Sequence, residues 1–364
     1  MHQPKINFNS TDNPEFYTVL KQRVSAHFKE AGYSKFANKR MVLKTIFMLS
    51  IYFTPLVLIL AGIISNLYLI ILMWSIMGFG LAGIGLSIMH DANHGAYSRH
   101  TNINKFMGFT LNYLGGYHVN WKIQHNVLHH SFTNIDGYDE DIEKKGIIRF
   151  SPNQNKRKIF RFQLFYAPIL YAILTLYWVT FKDFDQLRNY DKRGLLKAQG
   201  ISFGQALFRI VLFKVIYFGL LVASPIIFTS APWWITIVGF LIMHAIGGLI
   251  LALVFQSAHV LDETEFFDTV ESHDMENSWA IHQMKTTSNF AIGNKRLTWF
   301  IGGLNHQIEH HLFPTICHVH YPAISIIVRD TANEFGIPYM EQPTFSKAIV
   351  NHFRFLNQLG LGNI

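Results

Sequence analysis

An all-α integral-membrane fold, four transmembrane helices carrying a cytosolic helical cap, is predicted by the chain's apolar composition, its four long apolar runs and the one-sided distribution of its charge. Half of the 364 residues are hydrophobic and only 15% are charged, with 32 Phe and a mean hydropathy of +0.18. Soluble domains carry about a quarter charged residues. No linker-like or low-complexity tract and no repeat of fixed period divides the sequence, so residues 1–364 read as a single domain. A bilayer core takes about 20 apolar residues in helical form. Runs at about 45–64, 67–89, 205–228 and 233–256 meet that length. A fifth stretch, 159–181, is apolar but aromatic-rich and flanked by Lys and Arg at both ends, and reads as a helix lying in the membrane interface.

The connections at Ser65-Asn66 and Ser230-Ala231-Pro232 carry no charge. Of the 31 Lys and Arg, only Arg209 and Lys214 fall inside a run; the other 29 lie in segments 1–44, 90–204 and 257–364. The positive-inside rule places these three segments, and with them both termini, in the cytosol as one cap. The opening segment is polar and has no apolar stretch of the kind a cleavable signal needs, so the first run is expected to direct insertion. The net charge of +8 suits anionic lipid headgroups; with no aromatic-interleaved basic module, nucleic acid is not an expected partner. The single cysteine, Cys317, rules out an internal disulfide, a Cys-based zinc site and a thiolate iron–sulfur cluster. Nineteen histidines remain as metal-ligand candidates.

Three histidine clusters stand in the cap segments. His90-Asp91-Ala92-Asn93-His94 follows the second run, His125-Asn126-Val127-Leu128-His129-His130 comes next, and Gln307-Ile308-Glu309-His310-His311, preceded by His306, follows the fourth. Their spacings put each group on one helical face, with neighbouring Cβ atoms about 5–6 Å apart. A single such pair is commonly a solvated or capping set. Seven histidines with Gln307 exceed the ligands of one zinc, so a dinuclear site is the economical reading. Imidazole suits iron, zinc and copper alike, so the spacing leaves the metal open.

The order HDANH, HNVLHH and QIEHHLFP, set after the second and fourth runs, resembles the membrane fatty-acid desaturase family over residues of about 40–330. The resemblance implies a non-haem di-iron centre held by His90, His94, His125, His129, His130, His310 and His311, with molecular oxygen as oxidant and a fatty-acyl chain as substrate. Gln307 stands where many relatives carry the third box's first histidine, which is similar to the front-end, linoleoyl-CoA-desaturase-like bacterial branch. Gln307 is therefore placed ahead of its neighbour His306, which points about 100° away on a helix. One further ligand near the end of the last span is implied by the family, and His259 fits it; a capping histidine is the alternative. His244, deeper in the fourth run, ranks behind it, and His118, His318 and His320 are weaker flanking candidates.

Asp91 and Glu309 are expected to accept the outer ring N–H of ligand histidines. The acidic run Asp136-Gly137-Tyr138-Asp139-Glu140-Asp141, with Asn134 before it, reads either as part of the site or as a solvated loop. Electrons are expected from a separate donor, a ferredoxin or b-type cytochrome with its reductase. The segment before the first run is too short for a fused cytochrome, and no His-Pro-Gly-Gly string occurs. Two rivals remain: a hydroxylase or ketolase of the same histidine-box superfamily, and a metal-binding transporter, whose histidines would line the runs at mid-depth.

Overall fold

The computed structural model describes residues 6–143, 146–269 and 273–364, so small parts of the three predicted cap segments (1–5, 144–145 and 270–272) lie outside the described residues. Among the described residues, four helices are long and apolar enough to cross a membrane: Lys39–Leu60, Leu67–Asn93, Phe203–Phe228 and Trp233–His259. The first begins six residues ahead of its apolar run because Asn38 caps it, its side-chain oxygen accepting the Met41 backbone N–H. Lys39, Arg40 and Lys44 thus join its opening turns. Asn66 caps the second helix, accepting from Tyr68 and Leu69. Ser202 and Gln205 close a reciprocal capping box on the third. The second and fourth helices run on past their apolar stretches, to Asn93 and His259, and so carry His90 and His259 out on continuous helix.

These two helices pack along their length. A Cβ added at Gly78 would lie 2.9 Å from both the Met243 carbonyl oxygen and the Ile246 Cβ, so the backbones approach this closely only over glycine. Met48, Tyr52, Trp74, Met77, Leu81, Phe240 and Met243 fill the core between the helices. The outer faces expose Phe47, Val57, Leu72, Phe79, Phe208, Val215, Phe228 and Trp233. A soluble monomer rarely displays so much contiguous apolar surface, and with four membrane-capable helices the chain is a membrane protein.

The stretch predicted as one interfacial helix is two, Lys158–Ala172 and Leu174–Lys192, bent by 58°. At the bend the carbonyls of Tyr171 and Ala172 press on Gly248 of the fourth helix, and Thr175 Oγ1 donates to the His244 carbonyl at 2.9 Å. Its outer face exposes Phe165, Ile169, Ile173, Tyr177 and Phe181 at four-residue intervals, an apolar stripe of helical period. Two short parallel strand pairs, Asn7–Phe8 with Asp274–Met275 and Asn289–Phe290 with Glu341–Gln342, tie the terminal segments across the histidine-bearing end.

Candidate metal centre

Four elements deliver the histidines. The second long helix brings His90 and Asp91 immediately after a π-wound stretch, Ile84–Ile88, and its next residue is His94. A second π-wound stretch, Ile123–His129, carries His125 and His129 and is followed by His130. The wider winding replaces the regular helix that the spacing predicts, and such bulges recur at functional sites. His259 is the last residue of the fourth long helix, and the short helix Gln307–Leu312 supplies Gln307, His310 and His311.

The imidazoles converge in two adjoining groups. Ring nitrogens of His90, His94, His125 and His310 lie within 4.8 Å of one another, as do those of His129, His259 and His311. His130 joins the first group, its Nε2 lying 2.9 Å from His310 Nε2 and 3.2 Å from His125 Nε2. It also stacks on His311 of the second, ring centroids 4.4 Å apart. All nine residues that the sequence puts forward as metal ligands, Gln307 included, therefore meet at one place; Gln307 is buried beside His259.

The outer nitrogens orient the rings. His129 Nδ1 lies 3.0 Å from Asp139 Oδ2, His259 Nδ1 3.2 Å from the Thr286 carbonyl and His311 Nδ1 2.7 Å from Gln283 Oε1. Each acceptor fixes its ring as the Nδ1–H tautomer. The Nε2 atoms of His259 and His311 are then lone-pair acceptors, buried and without a hydrogen-bond partner, and the His129 ring turns its Nε2 to the same side. Uncompensated buried acceptors are costly, and these two beside the His129 ring form a donor set that would suit a divalent cation. His310 Nδ1 lies 3.3 Å from the Tyr321 hydroxyl. Burial first, and then the charge of neighbouring imidazoles, push His125, His130, His310 and His311 far below the ordinary imidazole value. At neutral pH these rings are uncharged, the form that ligates a metal. Trp121 packs on His90 and His125 at 5.5 and 4.5 Å, and Phe255 on His129 at 4.9 Å, walling the groups with apolar surface.

The carboxylates divide differently from expectation. Asp139, of the acidic run, stands within hydrogen-bond distance of a box imidazole, that of His129. Burial would raise its pKa, but the His129 ring and the Asn134 and Asp141 amides outweigh burial and hold it below the usual carboxylate range. Glu309 does not contact a box histidine. It accepts from Asn289 Nδ2 and the Tyr339 hydroxyl, both at 2.9 Å, pinning its helix to the segment at 289, and burial raises its pKa to about 7. A residue adjacent to His310 on a helix faces away from whatever His310 faces. Asp91 bonds His318 at 2.8 Å and stands 3.9 Å from His90 Nδ1.

The remaining candidates lie outside the two groups. His306 is buried with its Nδ1 3.7 Å from Glu309. His244 is about 22 Å along the helix from His259, where it bonds Tyr217 and Thr175. His118 bonds Asn112, and His320 bonds the Phe36 carbonyl. Gln283, Thr286 and Tyr321 escaped the sequence reading, because nothing in their local pattern marks them as ring-nitrogen partners. We expect Asp139→Asn to weaken metal retention by about 10–100-fold, read as metal per chain after dialysis against graded chelator.

The fatty acid desaturase family model matches residues 34–343. The chain is 37% identical to the sn-1 linoleoyl-lipid 6-desaturase of Synechocystis sp. (strain ATCC 27184 / PCC 6803 / Kazusa), over 96% of this chain and 97% of that one. It is 35% identical to an acyl-lipid (8-3)-desaturase of Physcomitrium patens, over 98% of this chain and 74% of the relative. With the sn-1 linoleoyl-lipid 6-desaturase of Arthrospira platensis it shares 32% identity, over 95% and 93%. Together with the paired imidazole groups, these matches settle the assignment: this chain belongs to the fatty acid desaturase family and is a fatty acid desaturase.

Proposed function

We propose that the chain desaturates acyl chains esterified to membrane lipids, inserting the new double bond toward the carboxyl end, at a di-iron centre on the cytosolic side. The observation that carries this reading is the pair of adjoining buried imidazole groups, the ligand-type ring nitrogens of each lying within 4.8 Å of one another. His90, His94, His125, His130 and His310 would hold one iron; His129, His259 and His311, with Gln307, the other. When bound, the iron pair and O2 supply an oxidant able to remove hydrogen from an unactivated CH₂–CH₂, O2 leaving as two waters with two added electrons and two protons. The protein's part is to place and shield. Asp139, Thr286 and Gln283 keep the Nε2 atoms turned inward, while Trp121 and Phe255 keep water from the reacting carbons. The regiochemistry follows the relatives, whose names carry 6- and (8-3)-desaturation of acyl lipids, and Gln307 in the third box.

Sidedness follows the charge. The histidine-bearing ends of the second and fourth helices adjoin the Lys- and Arg-rich segments, while the opposite connections are uncharged. The bent pair Lys158–Ala172 and Leu174–Lys192 would lie along that interface, its exposed Phe165 and Phe181 in lipid and its basic flank at the headgroups. Electrons would come from a separate carrier protein docking on the basic cytosolic face.

Expression in a bacterial host fed linoleate, followed by lipid extraction and mass spectrometry of derivatised acyl chains, tests the reading. A new double bond on the carboxyl side of the existing pair, found in lipid-esterified chains, is the expected result. A hydroxylated or keto product would transfer the chain to the rival chemistry.

A further inference from the structure

Outside the box histidines, Asp91, Cys317 and His318 bring ligand-type atoms together in the interior. A cation does not belong there, because Lys44 Nζ already sits 2.8 Å from His318 Nε2. What the residues form instead is a line of contacts from the first long helix to the first imidazole group. His318 Nε2 accepts from the Lys44 ammonium, so its proton is on Nδ1, which donates to Asp91 Oδ2 at 2.8 Å. The His318 backbone N–H donates to the same oxygen at 3.1 Å. The second oxygen, Oδ1, lies 3.9 Å from His90 Nδ1, which has no hydrogen-bond partner, while His90 Nε2 is turned inward, 3.2 Å from His125 Nε2. Lys44, Asp91 and His318 are all at most 3% exposed.

We propose that Lys44 and His318 are positioning residues of the desaturase: acting through Asp91, they hold His90 with Nδ1–H toward the carboxylate and Nε2 toward the metal. The inference rests on the di-iron reading above. Two features argue for it over mere packing. A lysine and an aspartate buried together could pair directly, yet here an imidazole stands between them and takes Oδ2 twice, leaving Oδ1 on the His90 side. The arrangement also repeats the second group's plan, where Asp139 stands at the outer nitrogen of His129. Each group then has one carboxylate-backed imidazole, the arrangement that fixes ring orientation and raises ligand basicity. Lys44 balances the Asp91 charge, which lets the carboxylate stay ionised in an apolar surrounding.

The test uses the full-length protein purified in detergent and loaded with ⁵⁷Fe: wild type, His318→Phe, His318→Asn and Lys44→Met. Asparagine places a side-chain N–H where His318 has Nδ1–H, so it keeps the bond to Asp91 without an acceptor for Lys44. For His318→Phe we expect kcat to fall about 10–100-fold with KM for the acyl lipid unchanged, and for His318→Asn to recover to within about threefold of wild type. In His318→Phe and Lys44→Met the Mössbauer spectrum should change at one of the two irons. The proposal is overturned if His318→Asn is no better than His318→Phe at equal thermal stability, if both irons change alike, or if KM rises at constant kcat. Wild-type protein that retains fewer than two irons per chain would instead remove the di-iron reading beneath it.

Discussion

Alanine at His129 or at His310 is expected to abolish desaturated product, a loss of more than about 100-fold, while the protein remains in the membrane at near wild-type level. Each ring contributes an inward Nε2 to a different imidazole group, and each is tethered at Nδ1, to Asp139 and to Tyr321. A truncated side chain leaves that inward donor position without an imidazole. Both residues lie beyond the long apolar helices, so the helices' lipid-facing surfaces are untouched. Product profiling by gas chromatography, paired with immunodetection in the membrane fraction, reads both quantities. Substantial product from either variant would separate the imidazole groups from catalysis.

Metal removal should have the second-largest effect. A ligand that binds only the folded state adds stability by mass action, about 4 kcal/mol at 1,000 times its dissociation constant. Without metal, the buried Nε2 lone pairs of His259 and His311 are left uncompensated. Chelation should therefore lower the thermal midpoint in detergent by several degrees, with iron restoring it. The metal-free protein should also be acid-sensitive in a particular direction. The folded-state pKa values of His125, His130, His310 and His311 lie well below the ordinary 6.5, so the unfolded chain binds more protons than the folded one as pH falls. Stability is then full above pH 6.5 and declines below it. A midpoint that ignored both chelator and acid would mean the histidines are neither ligands nor held neutral by burial.

Much of this was legible from residue order. The four apolar runs became four long helices, and every histidine of the three boxes came to one site, because apolar length and helical spacing are local properties. The helix ends were less legible: Asn38 draws the first helix six residues forward through a cap that hydropathy does not register. The break at Ile173 arises where the backbone of Tyr171 and Ala172 meets Gly248, a contact between segments far apart in the chain. The same limit hid Gln283 and Thr286, which act on His311 and His259 only after folding. It also misled the reading of Glu309, whose place inside a histidine box suggested a ring partner although its side chain leaves on another face of the helix.

The reach of the second and fourth helices bears on which carbons can react. Each has 27 residues, about 40 Å of helix against a hydrocarbon core of about 30 Å. The surplus carries His90 and His259 near its tip, so under the proposed di-iron reading the oxidising centre would stand at the level of the glycerol backbones rather than among the tails. A lipid rising to it presents the ester-proximal methylenes first and leaves its methyl terminus below. On that reading, depth would act as a ruler that counts from the head of the chain.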